Sequence, residues 1–142
     1  MKRQIAMLKA NLNPVIQRNS YRIYYEDTDS GGVVYYANYL KFFERGRTEF
    51  LRAKNISQSD LAKNFGVIFV VRNCFIKYLK PARLDDLVFI ETFIETVQKA
   101  SMQIKQQMIK GEQVLCHLDV EIACVDAISF KPKKIPFNIK NV

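Results

Sequence analysis

In the second half of the chain, hydrophobic positions alternate with polar ones. Across residues 114–125 the even positions are Val114, Cys116, Leu118, Val120, Ile122 and Cys124, all apolar. The odd positions include His117, Asp119 and Glu121. A period of two with one dry and one wet face predicts a half-buried β-strand, with His117 on the wet side. Residues 101–109 repeat the pattern with Met102, Ile104 and Met108 inward. Residues 87–97 set Val88, Ile90, Thr92, Ile94 and Thr96 on one face, Glu91 and Glu95 on the other. Residues 67–79 form a fourth long run, but its faces are mixed. The aromatic stretch 21–25 predicts one more, shorter strand.

The period changes from Asn38 to about Lys54. Tyr39, Phe42, Phe43, Gly46 and Phe50 recur at helical spacing and make one apolar stripe. Glycine in mid-helix costs about 1 kcal/mol against alanine, and a close approach of the helix to a sheet would explain its use. Ser57 to Asp60 has the spacing of a capping box for a short second helix, which Gly66 would end. The strands run to about ten residues, beyond the usual five or six, and their dry faces need a cover. Only one long amphipathic helix is available. The expected fold class is therefore α+β: one antiparallel sheet wrapped around a single central helix. The edges of such a sheet are commonly covered by another subunit.

Composition narrows the choices. A chain of 142 residues, 49% hydrophobic and 25% charged, suits one packed domain. No apolar run approaches the length that crosses a bilayer. The net charge of +8 sits entirely at the ends: residues 1–20 hold four basic side chains and no acid, residues 131–142 likewise, and the body between is balanced. That placement fits contact with phosphates or an anionic membrane surface better than a nucleic-acid footprint, and solubilising tails account for it equally. Residues 1–19 read as a basic extension and 20–142 as the domain. Three cysteines without a CxxC spacing argue against a disulfide framework and for a reducing, cytoplasmic setting, with peripheral contact at the inner membrane face as its membrane variant. His117 is the only histidine, so a histidine-rich metal site is excluded.

The chemistry concentrates in YYEDTDSGGVVYYANYL, residues 24–40. Six of the seven tyrosines lie from Tyr21 to Tyr39, and Glu26, Asp27 and Asp29 fall within four residues. A turn rich in glycine and aspartate leads into a helix. The first turn of a helix carries unpaired N–H groups at the positive end of its dipole, which can hold a carbonyl oxygen as it gains charge. A carboxylate on the turn could attack that carbonyl or activate water beside it. From spacing alone, the favoured reading is plain structure, an aspartate-rich turn capping a helix.

This stretch, with the FFERGRTEFL that follows, resembles the signature of hot-dog-fold acyl-CoA thioesterases of the 4-hydroxybenzoyl-CoA thioesterase-like superfamily. It is closest to the Tol–Pal-associated YbgC-like branch, which reads near YYEDTDAGGVVYHANYL and then ERARTE. Further matches are Val70-Val-Arg72, Tyr78, Pro81-Ala-Arg-Leu-Asp-Asp86, Cys124-Val-Asp126 and Lys131-Pro, so the likeness runs in order from about Tyr21 to Pro136. It implies a hot-dog fold, hydrolysis of an acyl-CoA thioester without a metal or redox cofactor, and assembly as a homodimer or homotetramer with the site between subunits. It implies Asp29 as the catalytic carboxylate, nucleophile or general base, and backbone N–H groups around Val34, Tyr36 and Ala37 as the oxyanion hole. Asn38 belongs to the same pattern. Lys99 and Ser101, on the turn between two strands, correspond to a turn that meets the nucleotide end of coenzyme A. Lys131, Lys133 and Lys134 could meet its phosphates from a neighbouring subunit. The branch usually has histidine where this chain has Tyr36, which bears on any step that needs an imidazole. The implied partner is acyl-CoA, with acyl carrier protein as the other carrier. Two rival readings are a hot-dog dehydratase, disfavoured by the single histidine, and a non-catalytic acyl-binding or membrane-associated protein of the same fold.

Overall fold

The computed structural model describes residues 16–138. Five strands make one sheet: β1 (Ile16–Arg22), β2 (Val67–Tyr78), β3 (Leu87–Val97), β4 (Ser101–Lys110) and β5 (Gln113–Asp126). Their order is β1-β3-β4-β5-β2, every neighbouring pair antiparallel. The long helix α1 (Tyr39–Arg52) lies across the inner face, against β1, β3 and β4. This is the α+β arrangement expected from the alternating strands and single helix, and the hot-dog fold that the resemblance implies.

All five stripe residues of α1 are buried, Phe42 and Phe43 almost completely. They meet Val88, Ile90, Met108, Leu118 and Val120 of the sheet in one core. Each ring contributes about 2–3 kcal/mol by burial. A Cβ on Gly46 would stand 2.6 Å from Ile90 Cγ2 and 3.1 Å from both Gln106 Nε2 and Thr92 Oγ1. The glycine is therefore where the helix touches the sheet. Ser57 Oγ accepts from the Asp60 N–H at 3.1 Å, starting the short α2 (Gln58–Asp60), which widens into a π turn over Leu61–Phe65. Gly66, at φ 65°, ends it in the left-handed conformation that glycine adopts without a Cβ penalty.

Three register shifts break the strict alternation. On β2, Arg72 is an extra residue between Val71, opposite Ile122, and Asn73, opposite Glu121. Val67, Phe69 and Val71 face inward before it; Cys74, Ile76 and Tyr78 face inward after it. The mixed faces of residues 67–79 are thus one strand with its phase reversed by a bulge. A second bulge at Glu95 turns Thr96 outward, opposite Gln103. The third, at Leu115, pairs Val114 with Ile109 rather than with the inner row.

Several expectations are corrected. The expected strand 21–25 is displaced: β1 ends at Arg22, and Tyr25–Asp27 is a 3-10 turn because the Asp27 carboxylate accepts the Tyr24 N–H at 2.8 Å and bends the chain there. Strand β1 also takes in residues 16–19 of the expected basic extension; residues 1–15 and 139–142 lie outside the described residues. His117 is buried, not solvent-facing. Cys116 and Cys124 are buried, but Cys74 is exposed on β2. No helix among the described residues is long and apolar enough to cross a membrane.

Candidate active site

The chain from Ile23 to Asn38 is a tightly tied loop. Ile23 N–H donates to Asp86 O at 2.9 Å, anchoring the loop to the start of β3. Thr28 and Val34 form a bridge, and Asp29 N–H donates to Val33 O, so the segment doubles back on itself. Gly32 N–H closes the turn on Asp29 O at 3.1 Å with φ 78°, which is why glycine stands there. Asp29 Oδ1 accepts from Gly31 N–H at 2.8 Å. This Asx-type contact fixes the side chain at the tip of the turn and leaves the carboxylate exposed.

The same ties position the helix mouth. Tyr35 N–H and Asn38 Nδ2 both donate to Asp27 O, at 3.0 and 2.9 Å. Asn38 is thus a strap across the loop; it makes no side-chain cap on α1. Asp27 caps the preceding turn. Tyr36–Asn38 forms a 3-10 turn that runs straight into α1. Among the described residues, the N–H groups of Tyr36 and Ala37 have no backbone acceptor, as expected at the start of a helix. Val34 is buried and its N–H is taken by Ala82 O at 2.9 Å, so the free donors begin two residues later. Tyr78 Oη donates to Tyr36 O at 2.8 Å, Tyr39 Oη accepts the Ala82 N–H at 3.0 Å, and the Tyr39 and Tyr78 rings meet edge to face at 5.2 Å. Burial raises the pKa of both phenols, which keeps them as neutral hydroxyls in these bonds.

Asp29, Tyr36, Ala37 and Asn38 therefore belong to one tied loop, at the end of the sheet where β2 finishes and β3 begins. Lys99 and Ser101 are not. They lie at the opposite end, on the β3–β4 turn, about 35 Å away along an 11-residue strand. There Ser101 is buried with its hydroxyl on Gln98 Oε1 at 3.3 Å, and Lys99 O accepts Ile135 N–H. Lys133 is engaged at the same end with Asp126 Oδ2 at 3.5 Å and Phe65 O at 3.3 Å. A cavity of about 220 Å³ also opens toward this far end, between the second half of α1 and the inner face of β2, β3, β4 and β5. Its walls include neither Asp29 nor Tyr36. Sequence reasoning missed it, since its lining comes from elements spread along the chain and only the register aligns them.

The thiols offer no nucleophile at the mouth. Cys116 lies beneath it, but burial pushes its pKa up to about 12. His117 pairs with Gln107 and Lys77 across the sheet, and its Nδ1 has no hydrogen-bond partner among the described residues.

A strand, a turn bearing a carboxylate and a helix mouth over a wrapped sheet define a class that comparison makes specific. Residues 31–117 match the family model described as "Thioesterase superfamily". The "Acyl-CoA thioesterase YbgC" of Haemophilus influenzae is 44% identical over 119 residues, covering 84% of this chain and 88% of that one. The "Acyl-CoA thioester hydrolase YbgC" of Escherichia coli O6:H1 is 42% identical over 129 residues, covering 90% and 96%. Among solved structures, a probable thioesterase from Bartonella henselae superposes with a TM-score of 0.83 at 39% identity, over 86% of this chain and 100% of that one. The chain belongs to the thioesterase superfamily. It is YbgC-like within that family, a hot-dog protein of the thioester-hydrolase class.

Proposed function

We propose that the protein hydrolyses acyl-CoA thioesters to free acid and CoA, with Asp29 as the working carboxylate. The observation that carries this reading is the Asp29 carboxylate fixed by Gly31 N–H on a turn that Asp27 ties to the open amides of Tyr36 and Ala37. Asp29 attacks the thioester carbonyl or takes a proton from water beside it. The two amides receive the oxyanion, a role that needs no particular side chain at position 36. The thiolate of CoA leaves, and water completes the acid.

The working unit in this reading is a pair of chains. Among the described residues, β2 pairs as a strand with β5 alone, and its inward Val71 and Cys74 are exposed. Two β2 edges related by a two-fold axis pair antiparallel. The two copies of α1 then run in opposite directions, and the Asp29 mouth of one copy lies beside the cavity, Lys99 and Lys133 of the other. The pieces that one chain holds apart are joined by that operation.

The test is thiol release over a panel of acyl-CoAs. Wild-type protein releases thiol, and Asp29→Asn lowers kcat/KM by ~10²–10⁴-fold with an unchanged thermal midpoint. Release by the variant at the wild-type rate would refute the role of Asp29. A second reading, an acyl-binding protein without turnover, is favoured by one observation: position 36 is tyrosine, and the single imidazole is buried in the sheet. Binding of acyl-CoA or acyl carrier protein without release from any thioester would establish it.

A further inference from the structure

The cavity at the far end of α1 is mostly apolar, but two charged groups of the helix, Glu44 and Arg47, lie in its wall. Phe50, Phe69, Met102 and Ile122 contribute its apolar lining, and Arg47 reaches it from the helix. The Arg47 side chain is half-buried, and burial is the main influence that lowers its pKa; a guanidinium remains charged even so.

Its surroundings leave most of it unused. Gln106 Nε2 donates both to Phe43 O and to Thr92 Oγ1, each at 2.9 Å. Those two bonds take both amide hydrogens and fix the orientation of the group. Gln106 Oε1 then faces the helix and accepts from Arg47 Nη1 at 3.0 Å. Gly46 is what lets the helix come close enough for this chain of contacts. A guanidinium has five N–H donors. The Gln106 carbonyl is the sole hydrogen-bond acceptor that the described residues give Arg47, and no carboxylate among them lies within ion-pairing distance. Glu44, one turn earlier and exposed, acts on it only through space. A charged fork with spare donors, set in an apolar wall and held from behind, is a recognition element for an oxygen atom.

We propose that this cavity receives the far end of the acyl group and that Arg47 selects acyl groups carrying a hydrogen-bond-accepting oxygen there, a carboxylate or a hydroxyl. The proposal rests on the thioesterase reading and adds the substrate class. Size sets the rest of the class. A cavity of about 220 Å³ exceeds the ~150 Å³ that encloses a benzene. It holds a single ring or a chain of a few carbons. Arg47 touches the substrate's distal oxygen rather than the reacting carbonyl, so it sets specificity.

Three thioesters of equal carbon number test it: butyryl-CoA, 4-hydroxybutyryl-CoA and succinyl-CoA, assayed by thiol release with the full chain. In the wild type, kcat/KM for at least one oxygen-ended substrate exceeds that for butyryl-CoA by about tenfold or more. Succinyl-CoA leads if the guanidinium alone decides, and 4-hydroxybutyryl-CoA leads if Glu44 accepts the hydroxyl proton; both support the proposal. In Arg47→Met the ratio of polar to plain substrate collapses toward one. Arg47→Lys, which keeps the charge without the fork, falls between and serves if the methionine variant does not fold. Equal turnover of all three by the wild type, or a ratio unchanged in both variants, overturns the proposal while leaving the hydrolase standing. No release from any thioester overturns the hydrolase and this proposal with it.

Discussion

The two ends of α1 are built for different work. At its start, the open groups beside the Asp29 turn are backbone: the amides of Tyr36 and Ala37 are presented by a loop that Asp27, Asn38, Tyr39 and Tyr78 hold in shape. At its far end, side chains do everything: Arg47, Gln106 and Thr92 form a relay inside an apolar wall. The first arrangement suits a group common to all thioesters. The second suits a group that differs between them. In the proposed function, separating them along one helix lets acyl preference change without disturbing the carbonyl site, and the proposed pair of chains brings the ends together.

That pairing gives the comparison its sharpest test. Asp29→Asn inactivates the mouth, with the ~10²–10⁴-fold loss stated above. Ile94→Trp fills the cavity. If each site combines the mouth of one chain with the cavity of the other, mixing the two inactive variants and letting them exchange restores about a quarter of wild-type activity, since half of the random dimers carry one intact site. No recovery after exchange confirmed by native mass spectrometry breaks the composite-site reading.

Smaller effects bear on how each end is held. Gly46→Ala forces a methyl to within 2.6 Å of Ile90 and into the Gln106–Thr92 contact; a loss of about 1–3 kcal/mol in denaturant unfolding is expected. Tyr78→Phe removes the donor to Tyr36 O and lowers kcat by a few-fold, with stability reduced by about 1 kcal/mol. The smallest effect is a pH dependence remote from both ends. Burial lowers the His117 pKa below 6.5, so the unfolded chain binds its proton more readily than the folded one does. The stability linked to His117 is present above pH 6.5 and is lost as pH falls below it. His117→Gln flattens the thermal midpoint between pH 7.5 and pH 5.5; an unchanged slope would exclude the histidine as its source.

The boundaries of β3, β4 and β5 were readable to within a residue or so, because their inner faces alternate for nearly their whole length. The stripe of α1 and the tight packing at Gly46 were legible for the same reason. Where alternation failed, an inserted residue was the cause, as at Arg72 and Glu95. His117 was misplaced because its odd-numbered neighbours are polar, yet Glu91, Gln107 and His117 make a buried row on that face. The carboxylate, the glycine turn and the helix mouth are contiguous in sequence, so this half of the candidate site could be delimited from the sequence. The cavity could not, because Arg47 meets Gln106 across 59 positions and only the folded register shows that pairing.

The bulge at Arg72 has a consequence for how this family's chains can vary. Arg72 has no partner on β5, so removing that one residue leaves Asn73 opposite Glu121 and Tyr78 opposite Cys116, with the Tyr78 hydroxyl still on the side of Tyr36. A single-codon deletion six residues upstream of Tyr78 would thus straighten the edge strand while keeping the tyrosine's hold on the Tyr36 carbonyl, so a chain with or without the bulge can carry the same loop.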